Sequence, residues 1–386
     1  MIYLDNHATT RCDPRVVDAM LPWFSEHYGN PHSGHPLGQE AKVAVEQAIE
    51  SLAEDLGVPA DSIVITSGAT ESNHLAILGA CTHPRQKRRH IVTVTTEHPA
   101  VLDVFDVLEK QGFRVTRVPV VRDGVADAGV VDLNRLADAI DDDTALVSVM
   151  WANNEIGAIA PMAEIADLCH QSGALFHSDA TQAVGRLSVD AKQVDVDLLS
   201  ATAHKFYGPK GTGLLVVGNS NRRVRIRPLM VGGGQQQGLR SGTVNPAGAI
   251  GIATALRLCS QGVSQNAERD RSIRDALWNS LNTAIEGIRL NGPAMSGGSR
   301  LTGNLNFRLP NLQGQAWMAA TTSIAFSSGS ACSAAEAKPS HVLSALGLND
   351  SQAASSVRFG VGRFNSMDEI ALASNQLIAS YCSLME

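Results

Sequence analysis

Between about residues 60 and 218 the chain alternates short apolar runs with longer amphipathic ones, and no other feature of the sequence restricts the fold as tightly. The runs "SIVIT" (62–66), "HIVTV" (90–94), "FRVTRVPV" (113–120), "TALVSVM" (144–150), "ALFHSD" (174–179), "VDLLSAT" (196–202) and "TGLLVVG" (212–218) have the length and side-chain type of strands. Helical patterns over 97–111, 132–140 and 162–171 lie between them. That rhythm predicts an α/β layered domain built on a mostly parallel, seven-stranded sheet flanked by helices. Ligands of such sheets sit beyond the carboxyl ends of the strands, so reactive side chains are expected just after the apolar runs.

The rhythm breaks at the glycine-rich "VGGGQQQGLRSGT" (231–243), and a helical region follows over roughly 245–286. The last hundred residues read as a smaller α+β unit: a strand in "GNLNFRLP", a helix from Gln313, the small-residue loop "SSGSACSAAEAKPS", a strand in "SSVRFGVG" and a closing helix from Ser366. The expected division is a large domain over 14–259 and a small domain formed by 1–13 with 260–386, the latter carrying the loop at about 326–340. A chain of 386 residues is long enough for two such cores.

Composition excludes several classes. A net charge of −7 argues against a general nucleic-acid-binding surface, and no direct nucleic-acid contact is expected. No apolar run is long enough to span a bilayer, so no membrane association is expected. The opening "MIYLDNHATT" carries no basic-then-apolar signal pattern, which makes a cytoplasmic location the expectation. The six cysteines are scattered without C-x-x-C spacing, so no metal site is expected and the thiols stay free.

Chemistry gathers where the sheet argument places it. Lys205 and His204 end the apolar stretch of "SATAHKFYGPKGTG", where a buried lysine is costly unless paired, neutralised or covalently occupied. Asp179 closes an otherwise apolar strand, and its carboxylate serves either to pair with a protonated ring nitrogen or to cap the following turn. The turn before Ala69 and Thr70 opens a helix whose free N–H groups suit a phosphate, although capping by Ser67 or Thr70 explains it equally. His98 follows the "HIVTV" strand and could stack on a planar group and move protons. Asn154 in "WANNEIG" offers both donor and acceptor, to the phenolic oxygen of a cofactor or to a substrate carboxylate, and Arg358 in "SSVRFGVGRF" can grip a carboxylate through two parallel hydrogen bonds. Cys332 sits in a run of small residues, unlike the surroundings of an inert buried cysteine.

Taken together and in order, "YLDNHATT", "NPHSGHPLG", "TSGATESN", "TEHPAVLD", "NNEIGAI", "HSDATQAVG", "AHKFYGPKGTG", "GGGQQQGLRSGT" and "SSGSACS" resemble the cysteine desulfurases of the NifS/IscS-like group. The resemblance runs over nearly the whole chain and implies a pyridoxal-phosphate (PLP) enzyme of transferase fold type I. It implies that Lys205 holds PLP in an imine linkage, that Asp179 pairs with the pyridine nitrogen, that His98 stacks on the ring and that Gln182 bonds the phenolic oxygen. By the same resemblance the phosphate is held by the helix start at Ala69 and Thr70, by Thr202 and His204, and by Thr243 from a second subunit, which makes the protein a homodimer. Asn154 and Arg358 would hold the carboxylate of L-cysteine, and Cys332 would take its sulfur as a persulfide, with Lys205 moving protons. Alanine is the implied co-product. The implied partner is a sulfur acceptor, an iron–sulfur scaffold or an enzyme of tRNA or DNA thiolation. Selenocysteine lyase or another fold type I activity such as an aminotransferase is the alternative; an aminotransferase has no use for the loop thiol.

The chain departs from the family pattern at four places. Thr202 stands where serine is usual and Ala203 where glycine is common. Gln236 and Gln237 replace a usual Glu-Arg pair, removing an ion pair beside the glycine loop. The chain stops at Glu386 without the longer tail some members use to dock scaffold proteins, while the loop around Cys332 has the length of the long-loop branch.

Overall fold

A computed structural model of the chain describes residues 1–219, 221–222, 224–328 and 339–386. Its seven-stranded sheet runs in the order Ile63–Thr66, Gly213–Val217, Leu198–Thr202, Leu175–Asp179, Thr144–Ser148, His90–Val94 and Arg114–Val118. Neighbours pair in parallel except around Gly213–Val217, which runs antiparallel to the strands on both of its sides. The reversal follows from the connection: Lys205 to Thr212 is too short for a crossover helix, so the chain turns back beside the strand it has just left.

Side chains along these strands divide between two cores. Ile63, Ile65, Val92, Val94, Val147, Leu199, Leu214 and Val216 join one cluster, with Leu52, Ile165 and Ile252 from helices on that face. Val64, Ile91, Leu146, Leu198 and Leu215 join the other, with Leu75, Val101, Val104 and Phe105. The period-two alternation explains why most of these strands are buried at every residue: both faces carry helices. The expected strands and helices all form, His90–Val94 and Met162–Gln171 with the expected bounds and the others trimmed by one or two residues at an end. The helix expected over 97–111, for example, is Pro99–Lys110.

Local chemistry sets the boundaries. His35 caps the helix Pro36–Leu56, and Gly57, in a left-handed conformation at φ 69°, ends it. The helical region after the glycine loop is two helices, Pro246–Ser260 and Val263–Ala284. A four-stranded antiparallel sheet follows, in the order Ser327–Ser328, Ser356–Gly360, Asn304–Arg308 and Arg289–Leu290. Its core joins Phe307, Phe326, Phe359 and Trp317 to Ile2 and Leu4 from the chain start and Leu377 from the closing helix Met367–Met385. Phe326 stacks on Phe359 with ring centroids 4.6 Å apart. Among the described residues no helix is long and apolar enough to cross a membrane.

One polar row crosses the large sheet. His177 is fully buried, its Nδ1 2.8 Å from the Ser148 hydroxyl and its Nε2 3.1 Å from that of Ser200. Burial outweighs the attraction of Asp179 and pushes the imidazole from 6.5 down to about 4. From pH 6.5 down to about 4 the unfolded chain takes a proton that the folded chain refuses, so stability falls as pH drops through that window and stops falling below it. His177→Gln is expected to remove up to about 3 kcal/mol of that acid loss, read as a flatter dependence of unfolding free energy on pH. Identical wild-type and variant slopes would contradict it.

Candidate active site

Beyond the carboxyl ends of the parallel strands lies a cavity of about 560 Å³. Ala69, Thr70, His98, Asn154, Asp179, Gln182, Thr202, His204, Lys205 and Arg358 all line it. Residues expected from separate strand ends therefore converge on one space. Thr243 is exposed and lines no part of that cavity in its own chain, and Cys332 lies outside the described residues.

Lys205 ends the short turn Ala203–Lys205 that follows the strand Leu198–Thr202. Its Nζ donates to the backbone carbonyls of His7 and Ala8, each at 2.7 Å. The chain start thus supplies the acceptors that hold the amine in place, a role the sequence alone did not reveal for "DNHATT". Asp179, also in the wall, is buried at its strand end. Its two oxygens accept from Asn73 Nδ2 at 2.7 Å and from the Thr181 N–H at 3.0 Å, so the carboxylate is fixed in direction. Behind it, Glu97 is fully buried with one oxygen on the Met150 N–H, and burial together with Asp179 holds its carboxyl well above the usual range.

Gln182 is oriented by its neighbours. Arg186 can only donate, and it donates to Gln182 Oε1 at 2.7 Å. His7 Nδ1, 2.9 Å from the same oxygen, must donate as well, while Gln182 Nε2 donates to the His7 carbonyl at 3.0 Å and keeps a second hydrogen. His98 caps the helix Pro99–Lys110 by accepting the Ala100 N–H on Nδ1, which leaves its proton on Nε2. Burial lowers its pKa, so the ring is neutral near pH 7.

At the other end of the cavity the helix Ala69–Cys81 starts without a side-chain cap, leaving its first N–H groups directed at the space. The strand Gly213–Val217 passes so close beneath that a Cβ on Gly213 would lie 2.6 Å from the Gly68 Cα. His204 is 3.1 Å from the Thr9 hydroxyl and is lowered to about 4 by burial and by Lys205 and Lys210. Thr202 gives its hydroxyl hydrogen to the Thr212 carbonyl at 3.1 Å, so toward an anion in this arrangement it presents lone pairs rather than a donor.

The third corner is the Arg358 guanidinium, which is 2 % exposed. It donates to the Asn154 carbonyl at 3.2 Å, to Asp5 at 2.8 Å and to the Ser327 hydroxyl at 3.2 Å. Asn153 builds the turn beneath Asn154 by accepting the Glu155 and Ile156 N–H groups at 2.8 and 2.9 Å. Around the cavity, Arg358 Nε, His7 Nε2, Asn73 Oδ1 and Thr181 Oγ1 are buried without a hydrogen-bond partner among the described residues. Unsatisfied donors and acceptors in one wall mark a space shaped for a polar ligand.

This donor set fits PLP. A primary amine stands ready for an aldehyde, a fixed carboxylate for a ring nitrogen, and an uncapped helix start for a phosphate. Among the described residues no group of three His, Cys, Asp or Glu side chains could hold a metal ion.

The aminotransferase class-V family model matches residues 2–372. The chain is 42% identical over 386 residues to the cysteine desulfurase IscS of Ehrlichia chaffeensis, covering 100% of this chain and 92% of that protein. It superimposes on a solved NifS-like protein with a TM-score of 0.90 at 33% identity, over 99% of both chains. A structure of SspA in complex with cysteine aligns with a TM-score of 0.81 at 30% identity, over 95% of this chain and 100% of that one.

Proposed function

The chain belongs to the aminotransferase class-V family and is a PLP-dependent cysteine desulfurase, and on that premise we propose that the cavity between Lys205, Asp179 and Arg358 is where L-cysteine yields its sulfur to Cys332. The observation that supports it best is the placement of those three side chains, with an amine, a fixed carboxylate and a buried guanidinium in the wall of one space.

Bound PLP supplies an aldehyde that takes up an amino group and a ring that withdraws electrons from the carbon skeleton. The remaining chemistry belongs to the chain. Arg358, with Nε unpartnered, and Asn154 hold the substrate carboxylate. Asp179, locked by Asn73 and Thr181, keeps a ring nitrogen protonated. Gln182, turned by Arg186, would offer its remaining hydrogen to the phenolic oxygen of bound PLP, and neutral His98 would pack against its ring. The Lys205 amine, steadied by the His7 and Ala8 carbonyls, carries protons between carbons. The Cys332 thiolate attacks the substrate sulfur. The carbon–sulfur bond breaks as a sulfur–sulfur bond forms, and the carbon keeps the electron pair and gains a proton, giving alanine and a persulfide on Cys332.

The finer parts of this reading extend beyond one chain. Exposed Thr243 completes the phosphate site of a second copy, which makes the enzyme a homodimer. The persulfide passes to a scaffold or thiolation protein. Arg358→Gln is expected to raise KM for L-cysteine roughly 30-fold, the value of a charge-assisted carboxylate contact, with cofactor absorbance unchanged. An unchanged KM would remove Arg358 from the carboxylate site.

A further inference from the structure

The glycine-rich loop is fastened to the outer strand of the large sheet, and to the turn before that strand, at two points. Gln236 lies against the outer strand Ile63–Thr66, where its Oε1 accepts the Ile65 N–H at 2.7 Å and its Nε2 donates to the Ile65 carbonyl at 2.9 Å. One side-chain amide thus reproduces a rung of β-ladder at an open sheet edge. Gln237 adds a bond to the Asp61 carbonyl at 3.1 Å. Both glutamines hold left-handed backbone, at φ 49° and 59°. The two residues that depart from the usual Glu-Arg pair therefore dock the loop with neutral bonds.

The charge of that loop sits at Arg240, three residues beyond Gln237. Arg240 Nε donates to Glu71 Oε1 at 2.8 Å and Nη2 to Oε2 at 3.4 Å, with the side chains only 21% and 10% exposed. Glu71 Oε2 also accepts the Ser67 N–H at 2.7 Å. Glu71 occupies the first turn of the helix whose start faces the cavity, and Ser67, Gly68, Ala69, Thr70 and Glu71 all line that space. A carboxylate there suits the helix dipole in an empty site but repels a phosphate placed at the same N–H groups. Burial is the largest single influence on Glu71 and raises its pKa. These three hydrogen bonds and the Arg240 charge together outweigh it and hold the carboxyl below its usual range, so its charge is present and needs compensation.

We propose that Arg240 is a positioning residue for cofactor binding: it neutralises Glu71 and turns that carboxylate toward Ser67, leaving the Ala69–Thr70 N–H groups to the phosphate of PLP. The inference rests on the phosphate placement proposed above. It makes the glycine-rich loop a determinant of cofactor retention in its own subunit.

The test is the PLP dissociation constant, measured by dialysing holoenzyme and following cofactor absorbance, for the wild type, R240Q, E71Q and E71Q/R240Q. R240Q is expected to weaken PLP roughly tenfold, because it leaves a partly buried negative charge beside the phosphate. E71Q and the double variant are expected to stay within about threefold of wild type, since no uncompensated carboxylate remains. R240K, retaining the charge, is expected to recover most of the loss. A wild-type constant in R240Q, or a loss that persists undiminished in the double variant, overturns the inference. Wild-type affinity that depends on Lys205 but is indifferent to added phosphate would instead refute the phosphate placement. The nearly isosteric double variant also reports, by its thermal melt, whether any loss comes from misfolding.

Discussion

Lys205→Ala is expected to abolish the visible absorbance of the cofactor imine and to lower kcat by at least about a thousandfold, because the proposed function gives that one side chain both the covalent anchoring and the proton transfer. The size of the effect follows from the geometry. Lys205 Nζ is held at 2.7 Å by two backbone carbonyls from residues 198 and 197 positions earlier, so the amine is placed before any ligand arrives. Lys210 also lines the cavity but is exposed and lies beyond the turn that ends at Lys205. A Lys205→Ala enzyme with undiminished turnover would transfer the role elsewhere.

Cys332→Ser is expected to keep the cofactor band and the binding of L-cysteine while abolishing alanine release in multiple turnover. A serine hydroxyl is a far weaker nucleophile toward sulfur and cannot carry a persulfide. The contrast with the lysine variant is the informative part: one loses the cofactor signal, the other only the product. Measured alanine at the wild-type rate from Cys332→Ser would exclude a persulfide at that position.

Much of the fold was legible because the strands are buried on both faces and read as unbroken apolar runs between amphipathic helices. For the same reason the direction of Gly213–Val217 was not: "TGLLVVG" buries Leu214 and Val216 on one side and Leu215 on the other whichever way it runs. The gathering of polar side chains at the strand ends was legible too, since Asp179 closes an apolar run, His98, Asn154 and Lys205 follow one, and all four line one cavity. What sequence reasoning missed are the partners that hold those side chains. Asn73 reaches Asp179 across 106 positions, and the His7 and Ala8 carbonyls reach Lys205 across nearly 200. Arg186 fixes the direction of the Gln182 amide, and Arg240 meets Glu71 across 169 positions. No local pattern announces such pairs, because each residue is unremarkable in its own segment and acquires its partner only through tertiary packing. The Gln236–Gln237 departure illustrates the same limit. Loss of a usual ion pair was visible, but not that an arginine already in the motif supplies the charge.

The most direct measurement is reduction of the holoenzyme with borohydride, which fixes an imine as a stable amine, followed by peptide mapping by mass spectrometry. The pyridoxyl group is expected on the peptide containing Lys205 alone. Its recovery on Lys210, or on no lysine at all in enzyme that turns over, would contradict the account.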